Sequence, residues 1–383
     1  MESGGARPLV IGLTGGMGTG KSCVRQMLVS LGAEGIDADQ VAHQVMAPGG
    51  PAHQAVVAEF GPQILRADGQ IDRPCLGQIV FSDPRALARL EAIVHPAVTE
   101  AIRQRLKTAA APAVVIEAIK LLESGLSRGL CDQVWVTVCS RRQQLARLAA
   151  SRRMSPEEAR RRLAAQLPPA QMVAQADLVI DTRGTMAETG LQVVAAWARL
   201  GMPFPPPQIR RGTLEDAEGI AAVLNAVVRE GGCTVLDRQF TVAQERAFLR
   251  RLRPRARLTV AQVGSVIVGF QIIEPYAAYT AAMDHVATLG TYVIAPLRGH
   301  GLGRAMSAAT FAAAREAGFS KLVIMVRSDN PAAQDFYTRL GFQPCGRLTR
   351  QAFVDGRYVD ELLFELFLPS GGAGYEPVAQ TME

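Results

Sequence analysis

Eight consecutive residues near the N-terminus combine glycines, a lysine and a serine in a spacing suited to phosphate binding. They read Gly15-Gly16-Met17-Gly18-Thr19-Gly20-Lys21-Ser22, a match to G-x-x-x-x-G-K-[ST] between an apolar run at 9–13 and a helical pattern. Glycines let backbone N–H groups curl around phosphate oxygens, and the helix N-terminus adds a favourable dipole. In this pattern the lysine reaches the terminal phosphates and the serine hydroxyl ligates Mg²⁺. The segment predicts a nucleoside triphosphate site, with a glycine-rich turn that binds nothing as the alternative.

Two aspartates follow the first predicted helix. Asp37 and Asp39 stand in Gly35-Ile36-Asp37-Ala38-Asp39, where a second short strand is expected to end. A carboxylate at this place could orient an acceptor hydroxyl and accept its proton during phosphoryl transfer. Because residues i and i+2 of a strand share a face, we expect one aspartate to act as base and the other to support Mg²⁺ or its waters. A helix-capping turn is the equally compatible alternative.

The composition is that of a globular protein with more than one core. The chain has 383 residues, 48% hydrophobic and 20% charged. At about 100–200 residues per domain this predicts two or three domains. No apolar stretch approaches the ~18 residues of a membrane span, and the N-terminus lacks the pattern of a signal peptide. Six scattered cysteines without a C-x-x-C pair favour a reduced, cytoplasmic protein with neither a disulfide scaffold nor a zinc site.

The net charge of +6 comes from one segment. Between 141 and 162 only two glutamates, Glu157 and Glu158, oppose eight arginines: Arg141, Arg142, Arg147, Arg152, Arg153, Arg160, Arg161 and Arg162. Because the arginines are confined to one short segment, the cluster fits a phosphate-rich small ligand better than a nucleic acid. No nucleic-acid partner is expected. A solvated helix face is the alternative. Nothing in the sequence specifies an oligomeric state.

A proline-rich segment divides the chain. Before Gly201-Met202-Pro203-Phe204-Pro205-Pro206-Pro207, apolar strand-like runs at 9–13, 113–117, 133–139 and 177–181 alternate with helical patterns. This alternation predicts an α/β unit at 1–200 with a parallel sheet covered by helices. A linker is expected at 201–208, since consecutive prolines interrupt both helix and sheet. A mixed α/β unit is expected at 209–368, and a disordered tail at 369–383.

The N-terminal half resembles the dephospho-coenzyme A kinases. Its strand and loop at 11–22 and its acidic Ile36-Asp37-Ala38-Asp39 look like the signatures of that family. Further matches follow in order: Pro48-Gly49, Phe60-Gly61, Gly69-Gln70-Ile71-Asp72-Arg73, Leu90-Glu91-Ala92-Ile93-Val94-His95-Pro96, Leu121-Leu122-Glu123 and Ala176-Asp177-Leu178-Val179-Ile180-Asp181. The resemblance covers about residues 8–200 and is specific in combination.

This resemblance implies a P-loop kinase with a helical lid. The implied reaction is Mg²⁺- and ATP-dependent phosphorylation of the ribose 3′-hydroxyl of dephospho-CoA, the last step of CoA synthesis. Asp39 is then the base beside Asp37, and 141–162 is the lid, with Arg147 and Arg152 as its phosphate-binding arginines. Glu117 stands where many members have an aspartate, and Asp181-Thr182 stands where Asp-Asn is usual near the adenine.

The C-terminal half carries a second glycine-rich motif. Arg298-Gly299-His300-Gly301-Leu302-Gly303 follows an apolar strand and opens a helical pattern at 303–317. Backbone N–H groups there could bind a pyrophosphate, but no lysine or serine is placed for metal-assisted chemistry. A dinucleotide is disfavoured, because no acidic residue at the end of the next strand is placed for a ribose.

Together with 330–342, this motif is similar to the GNAT acyltransferases over about 209–368. The resemblance implies acetyl-CoA or another acyl-CoA as co-substrate and an unknown amine as acceptor. Its pyrophosphate would bind at Arg298, Gly299, Gly301 and Gly303, with Asn330 near the pantetheine arm. Tyr337 is then the acid that protonates the leaving thiolate, and a core aromatic is its alternative role. The base is left open among Asp284, His285 and an ordered water.

The favoured hypothesis is therefore a CoA-forming kinase fused to a CoA-using acyltransferase. A different class of function for the C-terminal half is a non-catalytic CoA or acyl-CoA sensor that regulates the kinase. A protein that binds nucleic acid through its arginine cluster is the weaker rival, and it predicts binding that falls steeply with salt.

Overall fold

The structure is a computed structural model that describes residues 7–122, 128–152, 154–277, 279–354 and 356–369. Its contacts divide the chain into two compact units, Met1–Phe204 and Pro205–Glu383. The division falls within the proline-rich segment predicted as a linker. Most of the predicted disordered tail, 370–383, lies outside the described residues, as do Glu123 and Arg153.

The N-terminal unit is built on a parallel five-stranded sheet with the order β2-β3-β1-β4-β5. The three central strands are buried almost throughout, as expected for a sheet covered on both faces. The strands are β1 (Leu9–Thr14), β2 (Glu34–Asp37), β3 (Ala113–Glu117), β4 (Gln133–Val138) and β5 (Leu178–Asp181).

Nine described helices connect and cover these strands. They are α1 (Lys21–Ser30), α2 (Ala38–Val45), α3 (His53–Phe60), α4 (Arg73–Ser82), α5 (Pro84–Thr108), α6 (Arg141–Arg152), α7 (Pro156–Ala164), α8 (Pro169–Ala174) and α9 (Met186–Arg199). Local chemistry sets several of their starts. The Ser155 side chain caps α7, and Thr185 forms a capping box with Glu188 at α9. The order of strands and helices confirms the predicted α/β kinase-type unit.

The C-terminal unit is built on a mixed seven-stranded sheet with the order β11-β12-β10-β9-β8-β7-β6. All neighbours are antiparallel except β9 and β10, which pair in parallel only over Lys321–Val323 and Val286–Thr288. The strands are β6 (Gln208–Arg211), β7 (Arg257–Val263), β8 (Val266–Pro275), β9 (Val286–Val293), β10 (Lys321–Arg327), β11 (Gln343–Val354) and β12 (Arg357–Phe367).

The C-terminal unit has four described helices, α10 (Ala217–Glu230), α11 (Val242–Arg250), α12 (Leu302–Glu316) and α13 (Pro331–Arg339); α10 and α12 pack on the sheet, and α11 packs on α10. The predicted mixed α/β unit is confirmed. The sequence analysis missed β6, β11, β12 and several short helices. In β11 most residues are exposed, so the strand shows no apolar period that could have indicated it.

The described residues contain no helix long and apolar enough to cross a membrane.

Candidate active sites

The glycine-rich loop joins β1 to α1, as its spacing predicted. Gly15, Gly18 and Gly20 have φ of 144°, 74° and 91°, values that strain any residue with a side chain. Gly20 caps α1 without a side-chain hydrogen bond from any described residue, and the first turn carries no acidic residue. The helix dipole at this N-terminus favours an anion beside the loop.

Lys21 lies across this loop. Its side chain is buried, and Nζ donates hydrogen bonds to Gly15 O at 2.9 Å and Gly16 O at 3.1 Å. Thr19 braces the loop from inside, because its Oγ1 donates to Gly16 O at 2.8 Å. The loop thus keeps its curvature around a buried cation, which is an arrangement suited to holding phosphate groups.

Asp37 and Asp39 do not share a strand face, so that prediction is wrong. β2 ends at Asp37, whose Oδ1 accepts hydrogen bonds from Asp39 N at 3.0 Å and Gln40 N at 3.1 Å. Asp37 is the N-cap of α2, and Asp39 lies in the first turn of that helix. Asp37 therefore has the capping role left open above, because its carboxylate satisfies two backbone donors at once, and the parts of both aspartates in phosphoryl transfer stay predictions.

The carboxyl of Asp39 has surroundings that favour its protonated form. Nearby protein atoms desolvate it and raise its pKa, and the charge of Asp37 and then that of Glu117 raise the pKa further. Lys21 and His43 oppose this rise in the pKa. Asp39 therefore lies within electrostatic range of the lysine of the loop and of two other carboxylates.

Glu117 ends β3 beside the loop. In the sheet register it stands between Asp37 of β2 and Leu13 of β1, so three strands bring their carboxyl ends together here. Its carboxylate is buried and accepts hydrogen bonds from Ser22 Oγ and Arg25 Nε, each at 2.7 Å. The edge of the sheet after these strands is where α/β proteins bind ligands.

Arg147 reaches the loop from α6. Its Nη1 donates to Thr182 Oγ1 at 3.1 Å and to Gly18 O at 3.4 Å, and its Nη2 donates to Thr182 O at 2.7 Å. Thr182 in turn donates from Oγ1 to Thr19 O at 2.7 Å. Arg147 thereby joins the lid segment, the end of β5 and the loop. The side chain of Arg152 lies outside the described part of the structure.

Other arginines of the cluster face solvent. Arg160 and Arg162 form exposed ion pairs with Glu157 and Glu158 on the same helix. Arg160 and Arg162 therefore match the alternative of a solvated helix face, whereas Arg147 contacts the glycine-rich loop.

The second glycine motif also forms a turn before a helix. Gly299 and Gly301 have φ of 80° and 79°, and Gly301 caps α12. Gly303 is needed for packing, since a Cβ there would approach the Phe336 ring to 2.8 Å. Arg298 makes a bidentate pair with Glu230, at 2.5 and 2.7 Å, and donates from Nε to Val293 O at 2.9 Å. Its guanidinium anchors the turn.

Asn330 and Tyr337 lie near the two ends of helix α13. Asn330 caps it by accepting from Ala333 N at 3.1 Å. Tyr337 is buried, and burial raises the pKa of its phenol to about 12, while a hydrogen bond from the Thr291 hydroxyl opposes that rise. Thr291 stands on the part of β9 that has no parallel pairing with β10. Tyr337 therefore stays protonated near neutral pH and can donate a proton where these strands diverge.

Comparison with known proteins identifies the first unit. Residues 9–188 match the family model for dephospho-CoA kinase. The chain is 48% identical over 192 residues to the dephospho-CoA kinase of Geobacter metallireducens, covering 49% of this chain and 95% of that relative. It is 46% identical over 191 residues to that of Symbiobacterium thermophilum, covering 49% and 80%. The chain belongs to the dephospho-CoA kinase family.

The second unit of this dephospho-CoA kinase family member matches another family model. Residues 225–342 match the acetyltransferase (GNAT) family, as the resemblance at 209–368 predicted. A crystal structure of an N-acetyltransferase from Staphylococcus aureus Mu50 aligns with 43% of this chain and 100% of its own, at 21% identity and a TM-score of 0.41.

The kinase unit contains two glutamines that the sequence analysis missed. Gln144 donates from Nε2 to Met17 O at 3.1 Å, and Gln166 accepts from Met17 N at 3.0 Å. The amide and the carbonyl of Met17 are thus both held by side chains, one from the lid segment (Gln144) and one from the residues just after it (Gln166). A Cβ on Gly16 would lie 2.7 Å from Gln144 Nε2, so this glycine makes the close approach possible. Glutamines have no sequence signal of their own, and their partner is more than a hundred residues away.

The acetyltransferase-type unit holds a buried polar chain beside Tyr337. Gln271 donates from Nε2 to Thr291 Oγ1 and to Ser307 Oγ, both at 3.0 Å, and Ser307 donates to Gly303 O at 2.9 Å. Gln271 Oε1 has no hydrogen-bond partner among the described residues. This chain connects Thr291, and through it Tyr337, to the start of α12.

Proposed function

We propose that the N-terminal unit transfers the γ-phosphoryl group of ATP to the ribose 3′-hydroxyl of dephospho-CoA, giving CoA and ADP. The observation that carries this proposal is the meeting of Lys21, Ser22, Glu117 and Asp39 at the carboxyl edge of β1, β2 and β3. One loop there suits phosphates, and the carboxylates beside it suit a hydroxyl and a metal ion.

We infer that Mg²⁺ binds here together with the phosphate oxygens of the nucleotide, because the described residues contain no group of three or more His, Cys, Asp or Glu side chains that could hold a metal ion by themselves. The Ser22 hydroxyl already contacts a buried carboxylate, and the carboxylates nearby, those of Glu117, Asp37 and Asp39, offer the oxygen ligands that this hard cation prefers. Ser22 would hold the ion directly, and the carboxylates would hold it or its waters. When bound, Mg²⁺ supplies positive charge that offsets the charge developing on the transferring phosphates.

Each of the residues at this site has a separate role in phosphoryl transfer. Asp39 accepts the proton of the 3′-hydroxyl as its oxygen forms a bond to the γ-phosphorus. The bond from that phosphorus to the bridging oxygen breaks, and ADP leaves with the electron pair. Lys21 and the loop amides of 15–22 stabilise the phosphate oxygens, and Arg147 and Arg152 supply further positive charge from the lid.

An assay with the full chain tests this proposal. Purified protein, Mg²⁺, ATP and dephospho-CoA should give CoA, identified by mass as one added phosphate, and equimolar ADP. Lys21→Ala should abolish turnover, and Asp39→Asn should remove phosphoryl transfer while ATP still binds. Asp68→Asn, at an exposed turn residue, is the matched control. A near-normal rate in Asp39→Asn would show that another group is the base.

For the C-terminal unit we propose transfer of an acyl group from acetyl-CoA or another acyl-CoA to an amine. The amides at 299–303 would bind the pyrophosphate, Asn330 would lie near the pantetheine arm, and Tyr337 would protonate the leaving thiolate. The placement of a buried, protonated Tyr337 beside Thr291 supports this role.

A binding and a transfer measurement separate this proposal from the sensor. Acetyl-CoA should bind the full chain by calorimetry, and thiol release with an amine panel should be lost in Tyr337→Phe. Binding without transfer to any amine would instead favour a sensor that regulates the kinase.

We also propose a cytoplasmic location. None of the six cysteines, all of which the structure describes, forms a disulfide, and cysteines outside disulfides are typical of a reducing compartment.

A further inference from the structure

One hydroxyl at the end of β5 links the lid segment to the glycine-rich loop. Thr182 is 4% exposed and follows directly after β5. Its Oγ1 accepts a hydrogen bond from Arg147 Nη1 at 3.1 Å and donates to Thr19 O at 2.7 Å. The Thr182 amide donates to Val138 O at 2.8 Å, which holds the residue against β4. The backbone of Thr182 is thus fixed, and its hydroxyl joins two elements that are distant in the sequence.

The hydrogen bonds of Arg147 leave one edge of its guanidinium for a ligand. A guanidinium has five N–H donors. Nη1 donates to Thr182 Oγ1 and to Gly18 O, and Nη2 donates to Thr182 O, which uses three of the five. The N–H of Nε and the second N–H of Nη2 have no hydrogen bond with any described residue. Such neighbouring donors match two oxygens of one phosphate group.

The positive charge of Arg147 is not cancelled by an ion pair within the described part of the chain. Its three acceptors are one hydroxyl and two carbonyl oxygens, all of them neutral. Asp181, the acidic residue next to Thr182, is paired with Arg183 instead, whose guanidinium donates to it at 2.5–3.0 Å. Neutral oxygens therefore orient the Arg147 guanidinium, and its permanent charge remains for an anionic ligand.

The guanidinium lies beside the start of α1. A Cβ on Gly20, the cap of that helix, would be 3.8 Å from Arg147 Nη1 and 3.6 Å from Thr182 Cγ2. The dipole of α1 favours an anion at this helix end. The charge of Arg147 and the dipole of α1 therefore favour an anion at the same place, next to the loop whose sequence predicts phosphate binding.

We propose that Thr182 is a positioning residue of the kinase site, whose hydroxyl holds Arg147 with its Nε and Nη2 edge available to a phosphate group before the nucleotide binds. This inference rests on the phosphoryl transfer proposed above, in which Arg147 supplies positive charge. A donor that is already oriented loses less conformational freedom when the ligand binds, so it contributes more to affinity. The inference also gives a role to the threonine that stands where asparagine is usual in the family.

The experiment measures by calorimetry how tightly the full chain binds the β,γ-imido analogue of ATP with Mg²⁺. Thr182→Val keeps the branched shape but removes the hydroxyl. We expect its dissociation constant to rise about tenfold, as when a hydrogen bond to a charged group is lost. Thr182→Ser keeps the hydroxyl and should bind the analogue within about twofold of wild type. Thr108→Val, at the exposed end of α5, is the matched control.

A double-mutant cycle separates positioning of Arg147 from simple support of the loop. Arg147→Met removes the charge while keeping a side chain of similar reach. If Thr182 acts through Arg147, Thr182→Val should weaken binding by less than about twofold when it is made in the Arg147→Met protein. The same tenfold loss in both backgrounds would show that the hydroxyl supports the loop alone, and it would overturn the proposal. Equal binding by wild type and Thr182→Val would overturn it as well.

Two results separate this inference from the function on which it rests. If the wild-type protein binds the analogue but forms no CoA from dephospho-CoA, the proposed reaction is refuted, and the cycle still decides the role of Thr182. If CoA forms and the cycle is strictly additive, only the positioning role is refuted. Should Thr182→Val fail to fold, Thr182→Ala removes the same hydroxyl with a smaller side chain and takes its place in the cycle.

Discussion

Ser22 Oγ donates a 2.7 Å hydrogen bond to Glu117 Oε1, although the two residues are 95 positions apart. The same carboxylate accepts from Arg25 Nε at 2.7 Å. The serine proposed as the metal ligand is thus oriented by a buried acid on the neighbouring strand. Loss of a group that orients a metal ligand typically lowers metal affinity about 10- to 100-fold.

The first prediction concerns this contact. Glu117→Gln keeps a side chain of similar size but removes the charge that orients Ser22 and attracts Mg²⁺. Since hydrogen bonds to charged groups contribute about 1.5–3 kcal/mol, we expect the Mg²⁺ concentration for half-maximal activity to rise about tenfold or more. Initial rates at varied Mg²⁺ measure this. Glu100→Gln on the exposed face of α5 should behave as wild type, and an unchanged Mg²⁺ requirement in Glu117→Gln would contradict the role.

The second prediction concerns the pH dependence of kinase activity. The pKa of Asp39 is raised by its desolvation and by Asp37 and Glu117. A base with a raised pKa holds its proton to higher pH, so kcat/KM should fall as the pH falls through that pKa. Asp37→Asn and Glu117→Gln each remove a negative charge, so the acidic limb should move to lower pH, further in Asp37→Asn. The pH–rate profiles of both variants, with Glu100→Gln as control, test this; a limb that stays in place argues against Asp39 as the base.

The third prediction concerns the glutamines around Met17. Gln166→Leu leaves the Met17 amide without its acceptor, so the loop loses part of its support. A net contribution of about 1 kcal/mol for one hydrogen bond predicts a KM for ATP about fivefold higher, with a smaller change in kcat. Steady-state kinetics at varied ATP measure the two constants. Gln171→Leu, at an exposed residue of α8, should leave both constants as they are. A fivefold fall in kcat with an unchanged KM would contradict this prediction, because it would indicate a role in the chemical step and not in support of the loop.

The fourth prediction concerns Gly303. An added Cβ would lie 2.8 Å from the Phe336 ring, so Gly303→Ala should destabilise the C-terminal unit by about 1–3 kcal/mol. Denaturant unfolding followed by a probe in that unit measures the change. Phe336→Leu in the same chain makes space for the methyl group, so the double variant should be more stable than the two single effects added together. Strict additivity would show that the ring is not the obstacle.

The phosphate loop could be predicted because its information is local. The glycines need their positive φ values within a few residues, and the lysine, the serine and the start of α1 follow at once. Apolar runs alternating with helical patterns likewise predicted a parallel sheet, because buried strands need no polar face. Residue types and spacing were therefore sufficient for the fold class of both units and for the position of each glycine-rich turn.

The places of Asp37 and Asp39 could not be decided in the same way. A strand face and a helix cap are both open to two aspartates at i and i+2. The helix cap is the one observed, because β2 ends beside β3 at Asp37, whose carboxylate there accepts hydrogen bonds from two amides of α2.

Arg298 gives a similar lesson. The resemblance implies a pyrophosphate ligand for Arg298, and that role stays a prediction; no local spacing indicated that its guanidinium pairs with Glu230, 68 residues earlier.

The sequence by itself determined the features that depend on adjacent residues. These are the two glycine-rich loops, Lys21 and Ser22 in the first loop, and Tyr337, which follows the second loop. Only the tertiary structure decided which distant side chains complete those loops, namely Glu117 on Ser22, Gln144 and Gln166 on Met17, and Glu230 on Arg298. The physical reason is that a hydrogen bond or a charge interaction depends on separation in space. Folding sets that separation through packing that no local spacing encodes.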